Sequence, residues 1–360
     1  MAMYYFEQCV KQRVLIVGML PPPLGGIGVH IKRKCAFLRA HGAQVYVIDV
    51  CKESAVRSKI GYAWSLMRRV LSFQPHVVYY HTLSLRSNFV ELILLIMLKW
   101  CRGSKLVIVE HSGRFLYARS WLYKKILNMC ICGGVDEQIL MGQPMVQAYR
   151  DNDMVLLPSM CMAQAFIEPD SSEEFTHIQQ YPDVLWQFMR TKNMLFILNA
   201  SSISLWQNQD LYGFDLAITL LADLPEDCGL ICVVGAINNQ RYHDSVMSAL
   251  DRWSEKVYVM TGCHAELWPL IKRADCLLRP TRWDTASVSI QEALFLGKPV
   301  IASNACVRPE PCVLFESGNY EDFLAKVKTV YDQYTRQCDS ADAQSCARCG
   351  DHDEQSVHAN

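Results

Sequence analysis

The sequence predicts an α/β protein made of two successive units, each a parallel sheet covered by helices. Three observations lead there. Short apolar runs alternate with longer amphipathic stretches along most of the chain, which is the pattern of strand–helix–strand crossovers. A chain of 360 residues that is 51% hydrophobic and 20% charged has the length for two domains and the apolar content for large cores. The alternation is interrupted once, over residues 166–193, where Glu168-Pro169-Asp170-Ser171-Ser172-Glu173-Glu174 reads as a polar surface turn.

In chain order, residues 13–18 read as a buried strand and 19–28 as a loop, followed by a helix to about residue 41. Strands follow at 44–50, 76–80 and 105–109, separated by helices over 57–73 and 86–100, with a last short strand at 154–158. The second unit opens with a strand at 194–199. Further strands are expected at 229–234, 256–260, 275–278 and 299–302, and helices near 213–222, 244–253 and 267–273. A final amphipathic helix covers 319–336, after which periodicity is lost and a disordered tail is expected. The resulting division is 1–168, a linker at 169–193, a second domain at 194–336 and the tail at 337–360. The tail carries Cys346-x2-Cys349-x2-His352, half of a zinc pattern; only Cys338 and His358 lie near enough in sequence to complete it.

The most informative stretch is residues 277–303, LLRPTRWDTASVSIQEALFLGKPVIAS. It reads as strand end, polar loop, amphipathic helix and strand. Asp284 and Glu292 are eight residues apart and bracket the start of the helix, with small or apolar residues and one Gln between them. The first turn, including Ser287 and Val288, leaves backbone N–H groups without partners inside the helix. Those donors and the positive end of the helix dipole suit a phosphate. Carboxylates beside an anion site make sense for a ligand that also carries hydroxyls, as a sugar nucleotide does.

This string resembles the acidic-x7-acidic signature of retaining glycosyltransferases of the family-4 group. The resemblance covers roughly residues 13–335 and implies the GT-B fold, two Rossmann-like domains facing each other across a cleft. It implies that Asp284 contacts the donor sugar and Glu292 the nucleotide ribose. The loop Gly25-Gly26-Ile27-Gly28 would face the donor diphosphate and the acceptor. Its GGxG spacing is not the GxGxxG of a dinucleotide site, although Asp49 lies 21 residues after Gly28, where a dehydrogenase places its ribose-binding acid. His111, in Glu110-His111-Ser112-Gly113, matches the histidine that such enzymes hold near the reacting carbon. His81, also at a strand end, is a weaker candidate.

The chain departs from the family in two places. Thr285 and Ala286 stand where Gly is frequent, and the first acid is Asp where Glu is common. Tyr212-Gly213 stands where family members carry a Lys-Gly diphosphate clamp, and the accompanying Arg is also missing. The phosphate charge then falls to the helix N-terminus and to Arg279 or Arg282, with Ser201, Ser202 and Asn208 as further hydrogen-bonding groups.

The resemblance therefore implies a metal-independent, retaining transferase with no cofactor, using a nucleotide-diphosphate sugar as co-substrate. A saccharide or lipid-linked acceptor in bacterial surface-polysaccharide assembly is the expected partner. Two other readings stay open: a sugar-nucleotide epimerase or dehydrogenase on a similar frame, and an inactive homologue that binds without catalysing.

The net charge of −1 conceals an asymmetry. Residues 1–128 hold 19 Lys/Arg and 5 Asp/Glu, and residues 129–360 hold 16 and 31. A net +14 half calls for an anionic partner. An anionic membrane surface fits better than nucleic acid, because residues 57–73 combine Arg57, Lys59, Arg68 and Arg69 with Ile60, Trp64, Met67, Leu71 and Phe73. The longest apolar run, residues 89–100, falls short of the roughly 20 needed to span a bilayer. Sixteen scattered Cys and a charged first segment lead to the expectation of reduced thiols in a cytoplasmic protein, peripheral on the membrane.

Overall fold

The computed structural model describes residues 11–350 apart from 22–24, 51, 53–58, 82–87, 238, 263–264 and 286. Arg57, the side chain of Lys59, and the tail ligands Cys338, Cys346, Cys349, His352 and His358 lie outside the described residues and side chains.

The first unit is a sheet of β1 (Arg13–Gly18), β2 (Gln44–Asp49), β3 (Val77–Tyr80), β4 (Lys105–Glu110), β5 (Glu137–Met141) and β6 (Met160–Ala163). All are parallel, in the order β2-β1-β3-β4-β5-β6. Alternation along β1 sends Val14 and Ile16 to one face and Leu15 and Val17 to the other. Both faces are covered at the centre of the sheet, so β1, β3 and β4 read as nearly continuous apolar runs. Helix α1 (Gly26–Ala40) packs on the first face. On the second lie α2 (Lys59–Phe73), α3 (Asn88–Arg102), the short α4 (Arg114–Tyr117), α5 (Trp121–Gly134) and α6 (Gln143–Asp151). Each buried Leu, Ile or Val side chain here is worth about 1.5–3 kcal/mol of transfer free energy.

Two short helices, α7 (Glu174–Ile178) and α8 (Asp183–Arg190), link the units. Glu174 pairs with Lys272 and Arg273, which ties the link to the second unit. That unit contains β7 (Met194–Ile203), a hairpin of β8 (Leu205–Trp206) and β9 (Gln209–Asp210), α9 (Phe214–Asp223), β10 (Cys228–Ile237), α10 (Gln240–Asp251) and β11 (Val257–Thr261). It continues with α11 (Trp268–Arg273), β12 (Cys276–Arg279), α12 (Val288–Phe295), β13 (Val300–Ser303), β14 (Val313–Phe315) and α13 (Tyr320–Gly350). Its sheet is again all parallel, ordered β11-β10-β7-β12-β13-β14. Numbered within the unit, this is 3-2-1-4-5-6, the doubly wound order. The architecture is that of two Rossmann-like domains across a cleft, as the sequence predicts.

In such sheets ligands bind beyond the strand C-termini, where the winding direction reverses. The reversal lies between β1 and β3 in the first domain and between β7 and β12 in the second. At these points stand Gly25, the start of α1 and His81 on one side, and Asn199 of β7, Arg279 at the end of β12 and Asp284 on the other.

Three sequence expectations are corrected. Residues 154–158 form no strand. Val155 and Leu157 donate their N–H groups to the side chains of Asn128 and Gln138, and Pro158 has no N–H, so no ladder forms; the edge strand is β6. The interval 114–151, left without elements in the sequence reading, holds α4, α5, β5 and α6. The last helix does not end at Arg336 but runs to Gly350. No Pro or Gly falls between Tyr320 and Cys349, and Ala341, Ala343 and Ala347 favour continuation.

Candidate active site

The two reversal points face each other across a cavity of about 640 Å³. It is lined by Gly25, Gly26, Gly28, His111, Arg279, Asp284, Ser287, Val288 and Glu292, nine of the ten site residues expected from sequence. Arg282 is not among them. Its guanidinium makes a two-point contact with Asp215 (2.8 and 2.6 Å) and donates to the carbonyl of Asp210 (2.9 Å), so its charge is spent at the start of α9.

Two helix N-termini converge on this cavity. Helix α1 starts at Gly26 behind an extended Gly25 with no side-chain cap. Helix α12 starts behind Ser287, also without a side-chain cap. Their first-turn N–H groups remain available to an anion. The approach is close: a Cβ on Gly26 would lie 3.4 Å from Val288 Cγ2. Val288 itself packs into the core of the first domain. A third link spans the cleft, from Thr285 Oγ1 to the carbonyl of His111 at 3.0 Å.

Asp284 sits between two arginines. It accepts from Arg279 Nε (2.9 Å) and Nη2 (3.2 Å), Arg308 Nη1 (2.8 Å) and the Thr285 N–H (2.9 Å). Burial alone would raise its carboxyl. The charges of Arg279 and Arg308 outweigh that and hold it far below the usual carboxylate range. Arg308, on the segment after β13, also donates to the Ser303 carbonyl and Thr281 Oγ1. Arg279 reaches the Asn199 carbonyl (3.0 Å) and lies 5.3 Å from the centre of the Tyr212 ring.

The missing Lys-Gly clamp has a local explanation. Asp210 Oδ1 accepts from the N–H groups of Tyr212, Gly213 and Phe214, so a protein carboxylate already occupies the start of α9. Gly213 is left-handed (φ +77°), and a Cβ there would stand 2.2 Å from the Pro280 carbonyl. Ser201 is bound to the Tyr212 hydroxyl at 2.5 Å, Ser202 is buried, and Asn208 lies in the β8–β9 turn at φ +63°. Only Ser201 of these three lines the cavity.

His111 is buried and hydrogen-bonded through Nε2 to His81 Nδ1 at 2.9 Å. Burial pushes both imidazoles well below their usual pKa, so both are neutral at pH 7. With Nε2 engaged, Nδ1 is the nitrogen left to His111 for the cavity. His30 completes a trio close enough to share an ion, but Lys34 adds positive charge beside all three rings, which opposes a cation. Of the two Asp-x-Asp runs in the sequence, 351–353 falls outside the described residues and 151–153 lies outside the cavity, where Asp151 accepts from Tyr117 and Gln147. Asp49 is outside it too.

Glu292 is nearly inaccessible, 3% exposed, and burial pushes its carboxyl up to about 7 against the pull of Arg33. Arg33 belongs to α1 of the opposite domain and donates to Glu292 Oε1. Sequence reasoning missed Arg33, Arg308, Thr285 and the cavity-lining Trp206 and Trp283, whose rings lie 6.0 Å apart. Arg33 points away from the face that carries buried Ile31 and Cys35, so local periodicity gives no signal for it.

Comparison with known proteins agrees with this architecture. Residues 205–333 match the family model described as glycosyl transferases group 1. The chain superposes on Anabaena HepE in complex with UDP-glucose with a TM-score of 0.65 at 13% identity, over 89% of this chain and 90% of that one. The fold is GT-B. A glycosyltransferase from Rickettsia africae gives 0.65 at 15% identity (89% and 88% covered). Sucrose-phosphate synthase from Thermosynechococcus elongatus gives 0.65 at 11% (90% and 91%). No curated protein matches the sequence. In this GT-B frame the cavity lies in the interdomain cleft.

Proposed function

We propose that this chain is a retaining glycosyltransferase that moves a sugar from a nucleotide-diphosphate donor to a saccharide acceptor, lipid-linked, in surface-polysaccharide assembly. The observation that carries the reading is the convergence of two uncapped helix N-termini on one cavity that also holds Glu292. An anion site beside a hydroxyl-accepting carboxylate suits a nucleotide diphosphate sugar. The match of residues 205–333 to glycosyl transferases group 1, and the UDP-glucose bound by HepE, support it.

In this reading residues 1–168 hold the acceptor and 194–336 the donor nucleotide. The diphosphate lies against the first turns of α1 and α12, near Gly25, Gly26, Gly28, Ser287 and Val288, with Arg279 among the cations that line the cavity. Preorganised backbone donors stabilise the charge that grows on the leaving diphosphate. The acceptor oxygen bonds to the anomeric carbon on the face that the phosphate oxygen leaves, and that phosphate oxygen takes the acceptor's proton. Neutral His111 offers a hydrogen bond at the sugar, and Glu292 accepts from the ribose. Asp284 orients sugar hydroxyls. No metal and no further cofactor is required in this reading, since the backbone donors and dipoles of the two helix N-termini meet the charge.

The lipid-linked acceptor rests on the surface of the first domain. Helices α2, α3 and α5 pack on one face of the sheet, and their outer sides expose Ile60 and Trp64, Met97 and Trp100, Trp121 and Met129. Lys125 lies 4.9 Å over the Trp121 ring, within the +14 half of the chain. Buried Tyr62, Leu66 and Val70 show that α2 packs its other side on the sheet. Aromatic side chains beside basic ones suit an anionic headgroup boundary. No helix among the described residues is long and apolar enough to cross a membrane.

One observation favours a second reading. The hydrogen bonds to Asp284 come from two arginines and a backbone N–H, which suits a homologue that binds a nucleotide sugar without transferring it. Incubation with a panel of nucleotide sugars and a polyprenyl-diphosphate-linked acceptor separates the two. Transfer with the donor's anomeric configuration kept, read from the product's anomeric proton coupling, supports the enzyme. Binding of a donor with no product on any acceptor supports the second reading.

A further inference from the structure

The carboxylate read above as the ribose acceptor is held from the opposite domain. Arg33 is 6% exposed and directs Nε and Nη2 of its guanidinium across the cleft. Nε and Nη2 donate to Glu266 Oε2 at 3.0 and 2.7 Å, Nη1 to the Ile167 carbonyl at 2.8 Å, and Nη2 also to Glu292 Oε1. Lys32, one residue earlier on α1, takes Glu266 Oε1 at 2.8 Å. Both oxygens of Glu266 are therefore occupied. Glu292 differs: Oε1 is taken by Arg33, while Oε2 accepts nothing from the described residues and the residue lines the cavity.

This division of labour matters because Glu292 is buried. Without a cation beside it, a carboxyl so placed would gain a proton and lose half of its accepting power. Arg33 opposes this and also fixes the plane of the carboxylate, turning the open oxygen towards the cavity. Arg33 can do so only while α1 and α12 are in contact, since the two residues belong to different domains.

We propose that Arg33 is a positioning residue for ribose recognition: it acts through Glu292, so the ribose site is complete only when the two domains are closed on each other. The proposal rests on the reading of Glu292 as ribose acceptor. It places one half of a donor-recognition element on the domain otherwise assigned to the acceptor, and makes donor binding and domain closure one coupled event.

Calorimetry with UDP, ADP and GDP, each against its 2′,3′-dideoxy form, tests it. The parent protein should prefer the ribose form of its tightest diphosphate by about tenfold to a hundredfold, the range expected for a charge-assisted hydrogen bond. Glu292→Gln should abolish most of that preference. Arg33→Met should abolish it as well, with affinity for the dideoxy form changed less than threefold, and the double variant should discriminate no less than either single one. Arg33→Lys should restore part of it. If Glu292→Gln loses the preference and Arg33→Met keeps it, the positioning role is wrong and the ribose reading stands. If Glu292→Gln keeps the preference, or no diphosphate distinguishes the two forms, the ribose reading is wrong and the proposal falls with it. Should Arg33→Met fail to fold, Arg33→Gln carries the same comparison.

Discussion

Replacing Asp284 with Asn tests the electrostatic centre of the cleft. The carboxylate compensates two guanidiniums, Arg279 and Arg308, that are each under a tenth exposed. Asn keeps the shape but leaves both charges without a counter-ion in a poorly solvated place. Removing one partner of a buried ion pair costs about 3–5 kcal/mol. For a cooperative unit of roughly 150–250 residues each kcal/mol lowers Tm by about 2–4 °C, so the fall should be about 6–20 °C. The pH dependence follows from the depressed carboxyl. A group whose folded pKa lies below its unfolded value stabilises at every pH above the unfolded value, about 3.9, and loses that contribution as pH falls towards the folded one. The Tm gap between parent and Asp284→Asn should therefore be full from pH 5 to 8 and shrink below pH 4. Because the substitution frees Arg279, nucleoside diphosphate affinity at a temperature where the variant is folded should hold or rise, while transfer is lost. Scanning calorimetry across pH and isothermal titration read the two effects. A Tm within 2 °C of the parent at pH 7, or a gap unchanged at pH 3, refutes the reasoning.

Three further outcomes are expected. Gly213→Ala should destabilise by more than the ordinary cost of a left-handed Ala, because its Cβ would collide with the Pro280 carbonyl; a melting curve like the parent's contradicts the placement of that loop. Changing Trp64, Trp100 and Trp121 together to Gln should release the protein from vesicles rich in anionic lipid and spare activity on a water-soluble acceptor, since all three are more than 60% exposed. Cosedimentation equal to the parent's rules out that face. Sugar transfer should persist in EDTA, because Asp284 is committed to arginines; activity lost to chelator and regained with magnesium overturns the metal-independent account.

The parts of the molecule legible in the sequence are those in which local pattern and local function coincide. The stretch from Arg279 to Ser303 carries strand, anion-binding turn and helix within 25 residues, so its pattern, with the family resemblance it carries, pointed to Asp284 and Glu292, which line one cavity. The β1–loop–α1 unit was legible for the same reason. Elements were lost where a polar residue is buried for a non-local reason. Gln138 is wholly inaccessible in β5 because its amide serves the backbone of Val155 and Leu157, 17 and 19 residues on, which from sequence resembles a loop residue. Helix α5 was hidden by Trp121, Leu122, Ile126 and Met129 on its outer side, which blur the period of the buried face. Lys32-Arg33-Lys34 reads as a solvated run, yet Arg33 and Lys34 are buried. Helical periodicity tells which residues share a face, not that another domain lies against it. The same limit explains Arg282: its charge was visible, and its capture by Asp215, 67 residues away, was not.

The most direct test of the central claim is a thermal-shift comparison of UDP, ADP and GDP with the matching monophosphates and nucleosides. Two converging helix N-termini with Arg279 beside them should reward the diphosphate. At a concentration one hundred times its Kd, the preferred diphosphate should stabilise by about 2.7 kcal/mol and raise Tm by several degrees, with the monophosphate well behind and the nucleoside inert. If none of the diphosphates shifts Tm, or if a nucleoside shifts it as much as its diphosphate, the cleft does not hold a nucleotide diphosphate and the account is wrong.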